Sequence, residues 1–232
     1  MRLGIMQPYL FPYLGYFQLI EAVDKFVLLD DVQYINKGWI NRNRILVNGQ
    51  ATLFTVPLAK VSQHKLIKDI TISSEVNWGS KILKTLDQAY SKAPFFRSVY
   101  PIIQNIINTP EPNLARFIGQ SLQKLLPYMH LKTEIIPSSV AYATEHLKAQ
   151  AKILSICQQE KASEYINAIG GRDLYDKAAF DQKQISLHFL RPNLFAYKQK
   201  APAFVPGLSI IDVLMYNSPD EIKALLQDYS LE

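Results

Sequence analysis

Asp30 and Asp31 close a short apolar stretch, and the residues after them concentrate amides and cations: Gln33, Asn36, Lys37, Trp39, Asn41, Arg42, Asn43 and Arg44. A carboxylate at the end of a buried strand can bind a ribose hydroxyl, hold Mg2+ or act as a base. It can equally be the solvated aspartate that starts a loop. Arg42 and Arg44 are two residues apart, so on an extended segment they share a face and could clamp an anion from two sides. Arg44 could instead open a hairpin with its head in water. Amides interleaved with cations suit a polar ligand. Asp30 and Asp31 are therefore the catalytic candidates, and Gln33, Lys37, Trp39, Asn41, Arg42 and Arg44 the candidates for binding substrate or phosphate.

A second group precedes it. Gln7-Pro8-Tyr9-Leu10-Phe11-Pro12 follows a short apolar run, and Gly15 opens a helical pattern. Strand, stiff turn and helix are how many α/β enzymes offer backbone N–H groups to a phosphate, which makes Gln7, Tyr9 and Gly15 candidates for binding. The plainer alternative is that the prolines fix a turn and the tyrosines pack on a sheet. Gly170-Gly171-Arg172 forms a third group. Paired glycines let a backbone approach a ligand and Arg172 could meet a phosphate, although a simple turn has the same composition. The four histidines, His64, His130, His146 and His188, lack metal-ligand spacing, so no metal site is expected. Cys157, the one cysteine, sits among Ile153, Leu154 and Ile156 and reads as a buried structural thiol.

The elements that must position these groups follow from periodicity. Strands are expected over 3–6 and 26–29 with a helix over 15–23 between them, a β-α-β unit with a parallel pair. Asn48-Gly49 marks a hairpin over 43–56 that interrupts or extends the sheet. Helices are expected over 78–90, 99–107, 114–126, 149–159 and 209–215. Strands are expected over 70–72, 134–136, 165–169, 184–190 and 195–197. Ser218-Pro219-Asp220-Glu221 carries the N-cap, the N1 proline and the capping-box acid of a last helix. The fold class is α/β: a mostly parallel, Rossmann-like sheet flanked by helices. Residues 1–232 read as one domain, in which 78–130 could form a helical subdomain capping the rest.

Composition narrows the function. Hydrophobic residues are 48% and charged residues 19% of 232, which argues against disorder. The net charge of +5 is spread without a cationic run, so an anionic small molecule fits better than nucleic acid. A single cysteine suits a reducing compartment, and neither a signal peptide nor a membrane span is apparent. The location expected is the cytoplasm.

These residues also resemble a known family. Gln7-Pro8 with Pro12, Gly15-Tyr16-Phe17, Asp24, Asp30-Asp31-Val32-Gln33, Lys37-Gly38-Trp39, Asn41-Arg42-Asn43 and Val56-Pro57 are similar to the WbqC-like family. So are Tyr165 to Asn167, Gly170-Gly171, Leu174-Tyr175 and the segment from Leu208 to Asp212. Members often carry histidine before the Gln-Pro pair, where this chain has Met6. The resemblance implies a place in O-antigen or other surface-polysaccharide biosynthesis, and hence a nucleotide-linked sugar as ligand. The opening strand, turn and helix also look like the start of adenylate-forming and nucleotidyl-transfer enzymes such as pantothenate synthetase, without their histidines. Both lines imply acyl or aminoacyl transfer to an amino sugar, with ATP or Mg2+ as the cofactors to consider. The alternative is a nucleotide-sugar binding or scaffold protein.

Overall fold

The computed structural model of the chain describes residues 1–62, 64–193 and 196–232. Its central feature follows from short apolar runs buried on both faces. Strand β1 (Arg2–Met6) leads through the proline turn into helix α1 (Leu14–Glu21) and back to β2 (Lys25–Leu28), which pairs parallel with β1. Two small antiparallel pairs follow, β3 (Arg42–Val47) with β4 (Gln50–Thr55) and β5 (Leu58–Ala59) with β6 (Thr71–Ile72). Helices α2 (Trp78–Tyr90), α3 (Phe96–Asn108) and α4 (Leu114–Leu125) lead to β7 (Glu134–Ile136). Then come α5 (Ala149–Gln159), β8 (Glu164–Ala168), α6 (Lys177–Asp181) and β9 (Ser186–Pro192). Helices α7 (Ile210–Tyr216) and α8 (Pro219–Leu226) precede the last strand, β10 (Tyr229–Leu231).

The large sheet has the order β10-β9-β8-β1-β2-β7, with every pair parallel except β10 with β9. Chain order therefore reverses direction at β1, and the switch point lies between β1 and β8. Side chains alternate to the two faces. Leu3, Ile5, Val27, Tyr165, Leu187 and Phe189 join Ile153, Ile156 and Phe180 in one core, under α5 and α6. Phe26, Leu28, Ile166 and Leu190 join the residues of α1, α4 and α8 in the other. Gly4 is required where it stands, because a Cβ there would come within 2.9 Å of the Phe26 ring. Helix α4 lies directly on the sheet, a Cβ on Gly119 being 3.2 Å from Leu28.

The hairpin turn is as its sequence dictates, with Asn48 and Gly49 both left-handed at φ 52° and 76°. It neither interrupts nor extends the parallel sheet, however; β3 and β4 form a sheet of their own. The reason is that its hydrogen bonds are spent elsewhere. Asn43 Nδ2 donates to the carbonyls of Leu10 and Phe11, and Arg44 O accepts from Ser209 N–H. Leu46 N–H donates to the Tyr90 hydroxyl.

The expected strand over 195–197 begins outside the described residues; Tyr197 itself is in no strand, and its hydroxyl donates to Asp212 at 2.8 Å. Asp212 is fully buried, and also accepts from Tyr90 at 2.8 Å and Gln199 at 3.1 Å. Burial pushes its carboxyl above the usual range, and the three donors oppose that shift. Among the described residues no helix is long and apolar enough to cross a membrane.

Candidate functional site

Ligands of open parallel sheets bind beyond the carboxyl ends of the strands, and all three candidate groups are on or near that edge. The first two are tied together. Leu10 N–H donates to Trp39 O at 3.2 Å, and Asn43 bridges to Leu10 and Phe11 as above. Ser209 joins them as a third strand of chain, its hydroxyl donating to Phe11 O at 2.8 Å. The β1–α1 turn, the start of β3 and the segment before α7 thus form one rigid corner.

Arg44 occupies this corner in an unusual state. Its guanidinium carbon is 5.4 Å from the Trp39 ring centre, and its Nη2 is 3.9 Å from where a Cβ on Gly207 would be. Gly207 is left-handed at φ 67°, which is why glycine stands there; a Cβ would be only in ordinary contact with Arg44. The guanidinium has no carboxylate partner and no hydrogen-bond acceptor among the described residues, and its Nε is buried. A cation over an aromatic ring gains about 0.5–1 kcal/mol, whereas a buried unsatisfied donor costs roughly 1–3 kcal/mol. The ring does not offset the deficit; an anion would.

Tyrosines line the neighbouring turn. Tyr16 donates its hydroxyl to Gln7 O at 2.9 Å and fixes the end of β1, while the Tyr9 ring packs 5.6 Å from that of Tyr16. Burial raises the phenols of Tyr9 and Tyr13, and Tyr13 adds to the shift at Tyr9. Both residues are partly buried. Gly15 serves packing: a Cβ on it would stand 2.5 Å from Tyr13 and 2.7 Å from Pro192. It lies buried inside α1 and presents no open surface to a phosphate.

Of the other cations and amides that follow Asp31, Arg42 and Asn41 are occupied. Arg42 shares a strand face with Arg44, but its Nε donates to Gly38 O at 2.9 Å and its Nη2 to Lys37 O. These bonds brace a turn in which Lys37 is left-handed at φ 61°. Lys37 itself is exposed. Asn41 accepts from Tyr34 and donates to Val56 O, so its amide is committed to the core.

Asp30 and Asp31 lie at the end of β2 as carboxylates that face inward, 4% and 5% exposed. Asp30 accepts from Ser138 Oγ at 2.8 Å and Ser139 N at 3.0 Å, and burial raises its pKa against those bonds. Asp31 accepts from Ser139 Oγ and pairs with Lys152 of α5, both at 2.5 Å. The ends of β2 and β7 are stapled by these contacts. With the Lys152 ammonium already against Asp31, the pair does not fit Mg2+. Asp31, Lys152 and Gln33 line a cavity of about 370 Å3 at the start of α5, on the far side of β1 from β9 in the sheet order.

Gly170, Gly171 and Arg172 form a short 3-10 turn after β8. Arg172 is exposed and bonded to Glu232 at 2.9 Å. Of the other reactive types, His64 is exposed, His188 Nε2 is 4.0 Å from Glu164, and burial pushes the Cys157 thiol up to about 12.

Three contributors were not singled out in the sequence. Lys152 had a signal, since it shares the buried face of its helix with Ile156, one turn on. Ser138-Ser139 directly after a strand was another. Gly207 had one in Pro206-Gly207, a dipeptide that marks a turn.

No solved structure matches this chain. It is 29% identical over 216 residues to the uncharacterized protein Rv1507c of Mycobacterium tuberculosis (strain ATCC 25618 / H37Rv), an alignment that covers 92% of each chain. The model of the WbqC-like protein family matches residues 7–224, from the end of β1 into α8. The chain belongs to the WbqC-like protein family.

Proposed function

We propose that this protein is a cytoplasmic enzyme of surface-polysaccharide assembly, O-antigen included, that binds a nucleotide-activated sugar. It transfers an acyl or aminoacyl group to an amino sugar. The observation that carries the reading is Arg44, a half-buried guanidinium whose Nε has no acceptor among the described residues. A stable fold alone gains nothing from a buried donor left without an acceptor; a ligand phosphate supplies one. Trp39 beside it, and Tyr9 and Tyr13 of the neighbouring turn, offer ring faces to a sugar or base. The other cations are spread along the sequence without a run, which favours a small anion over nucleic acid.

In the transfer, the sugar amine forms a bond to the acyl carbon, the donor's activating group leaves with the bonding pair, and the nitrogen loses a proton. Positioning and charge neutralisation by Arg44 would supply the protein's part. The inward commitment of Asp30 and Asp31 favours a second reading, a nucleotide-sugar binding protein of the same pathway without chemistry.

A thermal-shift screen against nucleotide sugars, followed by mass spectrometry with activated acyl donors, tests both. Stabilisation by a nucleotide sugar and a product heavier by the acyl group support the enzyme. Stabilisation without product supports the binder, and indifference to every nucleotide sugar contradicts both.

A further inference from the structure

The carboxyl end of β8 holds a polar group that neither the fold nor the Arg44 corner uses. Asn167 is 4% exposed, on the sheet face it shares with the apolar Tyr165, Leu187 and Phe189. Its Oδ1 accepts the Ala168 N–H at 2.8 Å. Only the oxygen of the amide can accept that bond, so the orientation of the side chain is set and Nδ2 must point the other way. Nδ2 has no acceptor among the described residues. The side chain as a whole is buried, yet Nδ2 is not among the fully enclosed atoms that lack a partner, so this donor opens on the space at the sheet edge, where a ligand atom can reach it.

The turn that follows is shaped around this amide. A Cβ on Gly171 would lie 2.6 Å from Asn167 Nδ2 and 3.4 Å from its Cγ. Gly171 is not left-handed, so its backbone would accept alanine, and the objection to a side chain is Asn167. A Cβ on Gly170 would meet nothing within 4 Å, which leaves open space beside the same turn. Gly4 of β1 pairs with Ile166 of β8, placing Asn167 just beyond the last pair at the sheet's switch point. Gln7 directly follows β1, the neighbouring strand, and its side chain likewise has no partner among the described residues.

We propose that Asn167 Nδ2 is a specificity-determining donor for a neutral oxygen of the bound molecule, a sugar hydroxyl or an amide carbonyl, with Gly171 keeping its path clear. The assignment rests on the reading of the ligand as a nucleotide-linked sugar. It divides recognition between Arg44, which takes the phosphate, and Asn167, which takes the uncharged part.

Calorimetric titration of the full chain tests it, with UDP-, GDP- and dTDP-linked hexoses beside the parent nucleoside diphosphates. The wild type should bind one nucleotide sugar about fivefold or more tighter than its parent, the size of one neutral hydrogen bond. Asn167→Ala should lose that margin while affinity for the parent diphosphate stays within about twofold. Gly171→Ala should lose the same margin, yet add nothing in the Asn167→Ala background, where the methyl meets no amide. Should Asn167→Ala fail to fold, Gly171→Ala with Asn167→Ser makes the same comparison. A margin that survives both substitutions, or an equal loss for sugar and parent, overturns the assignment. Binding that depends on Arg44 but not on Asn167 removes this inference and spares the function. A wild type that binds none of these probes removes both.

Discussion

Asp31 and Lys152 form an ion pair of 2.5 Å between β2's carboxyl end and helix α5, with side chains 0% and 5% exposed. The two residues are 121 apart in sequence. Ser139 completes the arrangement by donating to the other oxygen of Asp31. The pair therefore joins three elements at the sheet edge, and its first consequence is for stability.

Replacing Asp31 with Asn leaves the Lys152 ammonium buried without an anion. The expected cost is about 3–5 kcal/mol in urea unfolding. Lys152→Met should cost a similar amount, and the double substitution Asp31→Leu with Lys152→Met should recover most of the loss. A double variant as unstable as the sum of the singles would show that the two charges do not act as a pair.

Gly15 offers a second test, of packing at the candidate site. Gly15→Ala places a methyl 2.5 Å from the Tyr13 ring and 2.7 Å from Pro192. Overpacking of this kind costs about 1–3 kcal/mol. The shift of Tyr13 should also change the near-ultraviolet circular dichroism, which an ordinary Gly→Ala gain in helix propensity would not do.

The pH dependence of stability contains one separable contribution. Glu160 accepts from the Tyr142 hydroxyl at 2.6 Å and from Lys25 at 2.9 Å, and these bonds hold its carboxyl below the ordinary 4.5, Tyr142 contributing most. A depressed carboxyl adds stability above its unfolded pKa and loses it as pH falls through the folded value. Tyr142→Phe should therefore lose less stability than the wild type when urea unfolding is compared at about pH 7 and about pH 3. Equal losses in the two proteins would mean that the Tyr142 bond does not hold the carboxylate.

Much of the architecture was legible in local pattern. The 78–90 and 149–159 helices, the Asn48-Gly49 hairpin and the capping box at Ser218 and Glu221 all form where their residues indicate. Helix α3 starts at Phe96, three residues before the 99–107 pattern. Pro101 is the sixth residue of this helix, past the first four N–H groups that need no partner, and its missing N–H forfeits the bond to Arg97 O. Strand β10 and helix α6 were not expected, because Tyr229–Leu231 acquires meaning only by pairing with β9, and Lys177–Asp181 is too short for a period to show. At the site, the sequence places carboxylates and cations at the sheet edge. It does not say which are already spent. Ser139, Lys152 and Gly38 decide that for Asp31 and Arg42, and Arg44 is left over because no such partner among the described residues reaches it.

We propose that Arg44 is held without a partner for an anionic ligand, and calorimetry with Arg44→Gln reads that role. The nucleotide sugar that stabilises the wild type should bind Arg44→Gln about 10- to 100-fold more weakly, the scale of a lost charge-assisted hydrogen bond. The ligand-free melting temperature should stay the same or rise, because an uncompensated buried donor has been removed. Undiminished affinity, or a variant that melts well below the wild type, would contradict the account by making Arg44 a structural residue.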